Sequence, residues 1–124
     1  MEKILFKEES YAIIGKCLEV HNHLGAGFSE IVYKDALEYE FNRSNIFYER
    51  EKKYEVNYKG MILPHYFFAD FVVFGNIILE VKGVGGISEE FIAQAINYLK
   101  VSNNQLALIV NFGEKRLNYK RIIV

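Results

Sequence analysis

Residues 69–82, ADFVVFGNIILEVK, contain two apolar runs separated by a Gly-Asn pair. Runs this apolar are typical of central strands that are covered on both faces. Three charged residues nevertheless interrupt them: Asp70, Glu80 and Lys82. Because side chains alternate along a strand, Glu80 and Lys82 project from the same face. The pattern predicts two central strands that carry carboxylates and an amine among buried residues.

The loop between these strands decides whether the two carboxylates meet. A two-residue loop would turn Asp70 and Glu80 to opposite faces of the hairpin. A three-residue loop over residues 74–76 instead pairs Val73 with Ile77, which brings the two acids directly opposite each other. Buried carboxylates need a partner or a metal. We therefore expect the three-residue loop, or a bulge, and a divalent cation bound by both acids.

The composition fits one small domain over residues 1–124, because 51% hydrophobic and 15% aromatic content is enough for one core. The net charge of −1 excludes a global attraction to nucleic acid or to anionic membranes. The single cysteine, Cys17, cannot form an internal disulfide, and no secretory signal pattern opens the chain. The expected compartment is the cytoplasm, and no apolar run is long enough to predict a membrane span.

Periodicity predicts an α/β fold. Helical spacing of apolar residues occurs over residues 8–23, 29–42 and 88–102. The inward-facing stripe of the second helix is predicted to be Ile31, Val32, Ala36, Leu37 and Phe41. Strand patterns occupy residues 48–58, 61–68, 69–74, 77–81, 105–112 and 119–124. This order predicts a central mixed sheet flanked by helices, with a right-handed parallel crossover from residue 77 to residue 112.

Two motifs resemble those of a known group of nucleases. Asp70, followed ten residues later by Glu80-Val81-Lys82, resembles the signature of the PD-(D/E)XK nuclease superfamily, although Ala69 stands where that name has proline. Residues 27–33, GFSEIVY, match the pattern that names the GxxExxY family, which is usually placed in the same superfamily. The resemblance implies a restriction-endonuclease-like sandwich.

The resemblance also implies a metal site. Asp70 and Glu80 would bind Mg²⁺ or Mn²⁺, with the carbonyl of Val81 as a further ligand, and Lys82 would orient or polarise the attacking water. These residue types suit phosphodiester hydrolysis, because a divalent cation and an ammonium both stabilise the charge that develops on the phosphate. Without the resemblance, Glu80 and Lys82 are equally well explained as an ion pair on one face of a strand.

The same resemblance implies supporting residues on two of the predicted helices. Glu30 resembles the helical glutamate that completes the metal shell, although an acid at a helix N-terminus also gains about 0.3–1 kcal/mol from the helix dipole alone. Gln94 and Tyr98 resemble the QxxxY element of exonuclease-like relatives, in which the glutamine approaches the carboxylates. We expect Tyr33 and Tyr98 to be packing residues whose hydroxyl groups find a partner.

Substrate contacts have weaker signals in the sequence. Six basic residues are candidates for a phosphate-contacting rim: Lys52, Lys53, Lys115, Arg116, Lys120 and Arg121. The pair Phe67 and Phe68 fits either base stacking or the core.

The leading hypothesis is a metal-dependent nuclease that acts on nucleic acid, with DNA as the first choice, and a homodimer is one way for so small a domain to cover a duplex. The alternative is a non-catalytic module that binds nucleic acid or protein on the same fold. A third possibility is an enzyme that acts on another phosphate ester.

Overall fold

A computed structural model describes residues 4–124, so the first three residues of the predicted domain lie outside the described part. Two helices come first, α1 (Lys7–Leu24) and α2 (Glu30–Arg43). Three strands and a helix follow: β1 (Tyr48–Tyr58), β2 (Met61–Val73), β3 (Ile77–Lys82) and α3 (Glu89–Ser102). The last elements are β4 (Leu106–Asn111) and β5 (Asn118–Ile123). The predicted segments 61–68 and 69–74 form one continuous strand that ends at Val73, before the loop.

The five strands form a single mixed sheet in the order β1-β2-β3-β4-β5. β3 and β4 are parallel, and α3 connects them, while the other neighbouring strands are antiparallel. The α/β class and the parallel crossover between residues 77 and 112 are therefore confirmed. β3 lies in the middle of the sheet with β2 and β4 on either side, so the most apolar strands occupy the centre of the sheet.

Helices cover both faces of the sheet. α1 and α2 pack on one face over a large core that includes Ile13, Phe41, Phe71, Leu79, Leu108 and Phe112. α3 packs on the other face through Ala95 and Leu99, over a smaller core that includes Val72, Ile78 and Ile109. Among residues 4–124, no helix has the length and apolar character needed to cross a membrane.

The inward face of α2 differs in part from the prediction. Ile31 is 55% exposed, whereas Tyr33, Leu37 and Phe41 are fully buried. These three residues recur at intervals of four and so form one stripe on the helix. Ile31 lies off that stripe and faces water. Lys34, next to the stripe, is also buried, and it contributes directly to the site described below.

Candidate functional site

The loop between β2 and β3 has three residues, as predicted. Val73 pairs with Ile77, and Phe71 pairs with Leu79, which leaves residues 74–76 as the loop. Phe74 and Gly75 both have left-handed backbone conformations, with φ angles of 57° and 77°. The N–H of Phe74 donates to the carbonyl of Phe47 at 2.8 Å, which helps to hold the turn. Continuing this register by one residue sets Asp70 against Glu80.

Beyond this register, the carboxylates of Asp70 and Glu80 accept hydrogen bonds from backbone N–H groups in place of backbone carbonyls. The N–H of Asp70 donates to Glu80 Oε2 at 2.8 Å, and the N–H of Val81 donates to Asp70 Oδ2 at 2.8 Å. The paired register of β2 with β3 does not extend beyond Phe71 and Leu79. In a strand, the N–H and C=O of one residue point toward the same edge, so strand geometry predicts that the Val81 carbonyl also faces the β2 side. Three oxygen-bearing groups therefore meet where the strands part.

Glu80 is the most perturbed acid at this point. It is 4% exposed, and burial together with the charge of Asp70 raises its pKa to about 8. The nearby ammonium groups of Lys82 and Lys34 oppose this rise without cancelling it. A bound cation would relieve the cost of two close carboxylates, because it favours their ionised forms.

The donor set fits a hard divalent cation. Carboxylate and carbonyl oxygens are the ligands that Mg²⁺ prefers, and Mg²⁺ usually retains several waters. Within residues 4–124, no three His, Cys, Asp or Glu side chains are grouped to hold an ion together. The fit therefore rests first on the two carboxylates of Asp70 and Glu80 and the carbonyl of Val81.

Lys82 lies on the α3 side of the sheet. Its Nζ is 4.5 Å from the centre of the Phe91 ring, so the ammonium rests against an aromatic face. In the described part of the chain, no salt bridge joins Lys82 to Glu80. Lys82 therefore acts on Glu80 through its charge, which opposes the rise in the pKa of Glu80, rather than through a direct salt bridge.

Sequence reasoning missed a second lysine at the site, Lys34 of α2. Its Nζ lies 3.0 Å from Asp70 Oδ1 and also contacts Glu51 Oε1 of β1. Burial works against the charge of Lys34, but the hydrogen bonds to Glu51 and Asp70 and their charges outweigh it and raise the pKa of Lys34. Lys34 therefore stays cationic, and it links the helix to two strands.

Glu51 has an unusual backbone. Its φ angle is 53°, a left-handed conformation that costs a non-glycine residue about 1–3 kcal/mol. Its neighbours in β1 pair with Phe71 and Ala69, which places Glu51 across from Asp70. Its side chain is 49% exposed, so the cluster opens to solvent on this side. Strain of this kind is found at functional sites more often than elsewhere.

Glu30 lies at the exit of β3. Its Oε2 accepts a hydrogen bond from the N–H of Gly83 at 3.0 Å, directly after Lys82. A Cβ atom at Gly83 would lie 3.4 Å from Glu30 Cγ, so the backbone and the acid are in close contact. The structure thus brings Glu30 to the end of the strand that carries Glu80 and Lys82, while the geometry is also compatible with a helix-dipole role.

Tyr33 holds the segment that precedes Glu30. Its hydroxyl donates to the carbonyl of Gly25 at 2.6 Å and accepts from the N–H of Phe28 at 3.2 Å. Its ring is fully buried and stacks on Phe112, with the ring centres 4.6 Å apart. The prediction of a packing residue with a partnered hydroxyl is confirmed for Tyr33.

Gln94 lies one helical turn from both Phe91 and Tyr98 on α3, and these two residues lie at the site, against Lys82 and near the carboxylate charges. Gln94 is exposed, and no hydrogen bond joins it to Asp70 or Glu80 within residues 4–124. Ala95 and Leu99 take the inward positions of α3 and leave Gln94 on its flank. The Tyr98 hydroxyl lies near the site. Burial, together with the charges of Glu80, Asp70 and Glu51, raises its pKa to about 12. Its ring packs edge-on against Phe67, 5.8 Å between centres.

The basic residues do not form one rim. Lys52 and Lys53 lie on β1, whereas Lys120 and Arg121 lie on β5, at the opposite edge of the sheet. Lys52 pairs with Glu49, and Arg121 is bound to Ser10 and to the carbonyl of Leu5. On β2, the strand that carries Asp70, Phe67 packs on Tyr98, while Phe68 remains 50% exposed.

Comparisons with known proteins agree with this fold. A family model described as the PD-(D/E)XK nuclease superfamily matches residues 7–122. The crystal structure of SSO0001 is similar with a TM-score of 0.59 at 20% identity, over 74% of this chain and 48% of that one. An alkaline exonuclease from Laribacter hongkongensis, LHK-Exo, is similar with a TM-score of 0.53 at 12% identity, over 99% of this chain and 72% of that one.

These likenesses concern the fold. The chain spans about half the length of SSO0001. A comparison with curated proteins gives no match. The architecture is the restriction-endonuclease-like sandwich that the resemblance implied, a mixed sheet of five strands between helices.

Proposed function

Because this chain belongs to the PD-(D/E)XK nuclease superfamily, we propose that it is a metal-dependent nuclease that hydrolyses phosphodiester bonds in nucleic acid, with DNA as the first substrate to test. The observation that carries the proposal is the pairing of Asp70 and Glu80 across two strands, with Lys82 on the same strand as Glu80. We also propose membership of the GxxExxY family, supported by residues 27–33.

The proposed metal ligands are Asp70, Glu80 and the carbonyl of Val81. A divalent cation such as Mg²⁺ or Mn²⁺ held there would neutralise charge on the phosphate and make water a better nucleophile at neutral pH. The backbone hydrogen bonds to Asp70 and Glu80 fix both carboxylates before any ion arrives, which reduces the reorganisation that binding requires. Glu30 is a fourth candidate ligand through the oxygen that Gly83 does not use.

Lys82 is the proposed residue that orients water and stabilises the charge on the phosphate. Its place over the Phe91 ring limits the positions that its ammonium can take. A fixed cation next to a developing anion is worth more in a partly buried site than in water. Gln94, exposed on α3, is proposed to contact the substrate rather than the carboxylates.

The experiment is a cleavage assay on single-stranded, duplex and branched DNA and on RNA, with Mg²⁺ or Mn²⁺. Wild type is compared with Asp70→Asn, which keeps the size of the side chain and removes its charge. The matched control is Lys7→Ala, because Lys7 is exposed on α1 and lies beside Tyr119 and Arg121 of β5. We expect cation-dependent cleavage in wild type and in the control, and loss in Asp70→Asn. Cleavage that survives Asp70→Asn in a preparation free of contaminating nuclease would contradict the site.

A second candidate is a non-catalytic module that binds nucleic acid or protein. The contact that favours it is the one between Lys34 and Asp70, because a protein cation already neutralises one of the two proposed ligands. This candidate predicts binding of DNA or of a protein partner that does not depend on Mg²⁺ or Mn²⁺, with no cleavage of any substrate in the panel.

The proposal includes a cytoplasmic location, which rests on the single cysteine, and a homodimer as one way to span a duplex. Light scattering with and without duplex DNA tests the dimer. A monomer in both conditions would remove it and leave the proposed chemistry unchanged.

A further inference from the structure

Lys34 places a resident positive charge inside the carboxylate cluster. Its side chain is 10% exposed, and its Nζ contacts Asp70 Oδ1 at 3.0 Å as well as Glu51. A lysine is rarely buried to this extent unless carboxylates offset the loss of hydration. Here α2 delivers the ammonium from one side of the sheet, while Lys82 lies on the α3 side against Phe91.

The hydrogen bonds of Asp70 define what else it can bind. Oδ2 accepts from the N–H of Val81, and Oδ1 accepts from Lys34. Hydrogen bonds tie Oδ2 to Val81 and the Asp70 backbone to Glu80, so the proposed cation is assigned to the Oδ2 side. A second cation would need the Oδ1 side together with Glu51, and two-ion sites hold their ions only about 3.5–4 Å apart. Lys34 contacts both of those carboxylates.

The backbone of Glu51 supports this interpretation independently. Its left-handed conformation, with φ at 53°, is unfavourable for glutamate and is maintained across from Asp70. The other non-glycine residues with positive φ angles in the described chain lie at turns or helix ends, whereas Glu51 lies inside β1. The strained residue is the one that completes the contact with Lys34.

We propose that the Lys34 ammonium takes the place of a second divalent cation, so that the site binds a single metal ion. This inference rests on the proposed function. Lys34 is a positioning residue in this scheme: it holds Asp70 and Glu51 and excludes a second ion by charge repulsion. Removing the ammonium would leave Asp70 Oδ1 and Glu51 free to bind one.

The test counts bound Mn²⁺ in the full chain by titration calorimetry, with electron paramagnetic resonance to detect coupled Mn²⁺ pairs. We expect one ion in wild type, two coupled ions in Lys34→Met, and one again in Lys34→Met/Glu51→Gln. Lys7→Met is the matched control and should retain one ion. If Lys34→Met does not fold, as judged by circular dichroism, Lys34→Gln replaces it, because its amide still bonds to carboxylates without carrying charge. A second, weaker ion is expected in that variant.

The outcomes separate this inference from the proposed function. Two ions in wild type, or a single ion in a folded charge-free variant at position 34, would overturn the role given to Lys34 and leave the nuclease proposal intact. No bound Mn²⁺ in wild type would overturn the metal requirement of the proposed function itself. A purely structural Lys34 would lower the melting temperature of the variant without changing the number of ions.

Discussion

The two ends of the β2–β3 pair are built on different physical principles. At the loop end, Phe71 and Val73 face Leu79 and Ile77 in a regular antiparallel register, and all four residues are fully buried. One residue further along, side-chain carboxylates replace the backbone partners, and the acid Glu80 has a pKa of about 8.

The difference teaches how a small sheet can hold two acidic side chains close together. The apolar end fixes the register through packing, since a slip by one residue would turn its buried side chains to the other face. The charged end then follows from that register, even though its own electrostatics oppose it. Stability and chemistry are therefore assigned to neighbouring residues of the same two strands.

The strongest test of this division is Lys82→Ala. Lys82 makes no salt bridge with Glu80 and is only partly buried, so we expect the free energy of unfolding to change little. Cleavage should fall by about 10²–10³-fold, as when one stabilising group is removed from a developing charge. Rates on the preferred substrate and urea unfolding curves measure the two effects. A large loss of stability with normal cleavage would reverse the roles given to the two ends.

Leu79→Ala is the matched change at the apolar end. Leu79 is fully buried in the larger core, so truncation should lower the free energy of unfolding by about 2–5 kcal/mol. Cleavage per folded molecule, measured well below the melting temperature, should stay within a few-fold of wild type. A loss of cleavage as large as that of Lys82→Ala would mean that packing and chemistry cannot be separated in these strands.

The pH dependence of stability tests the charged end without any assay of activity. The folded protein keeps Glu80 protonated up to about pH 8, whereas the ordinary pKa of a glutamate side chain is 4.5. As the pH rises, the unfolded chain loses this proton at a lower pH than the folded protein does. The free energy of unfolding of the cation-free protein should therefore fall between about pH 4.5 and about pH 8. Urea unfolding in a chelator measures this, and Glu80→Gln should flatten the dependence. An equal fall in Glu80→Gln would assign the effect to another group.

Gly75→Ala gives the smallest expected effect and probes the loop that links the two ends. Gly75 has a φ angle of 77°, and an added Cβ would lie 3.8 Å from the Phe47 ring, which is ordinary contact. The cost is therefore the left-handed backbone, about 1 kcal/mol in the free energy of unfolding. Thermal unfolding measures it. No change at all would indicate that the loop does not constrain the register.

The central strands and their register could be predicted from the sequence, because both depend on local patterns. The apolar runs identify β2 and β3, and the burial cost of Asp70 and Glu80 selects the three-residue loop over the two-residue one. The position of Lys82 on the same face as Glu80 also follows from strand alternation, whereas the buried position of Tyr33 on α2 lies outside the predicted stripe. For the strands, their register and Lys82, the local preference and the tertiary structure agree.

Lys34 and Glu51 could not be predicted in the same way. A turn at Lys59 and Gly60 pairs Asn57 with Ile62, and on that register alone Glu51 would face Phe68. A register shift between Glu55 and Asn57 moves Glu51 opposite Asp70 instead. Lys34 looks like an exposed helical lysine until two carboxylates from different strands offset its burial. Both positions depend on contacts that no local pattern encodes.

The site joins segments that are far apart along the chain, and this has a consequence for the order of folding. Lys34 meets Asp70 across 36 residues, Glu30 meets Gly83 across 53, and the stacking of Tyr33 on Phe112 joins α2 to the end of β4. Loop closure over such separations is slow, and β3 has its parallel neighbour only after α3 has crossed the sheet. We therefore expect the carboxylate cluster to be completed late in folding, so that partly folded chains lack the arrangement that would let them bind a metal ion as the native protein does.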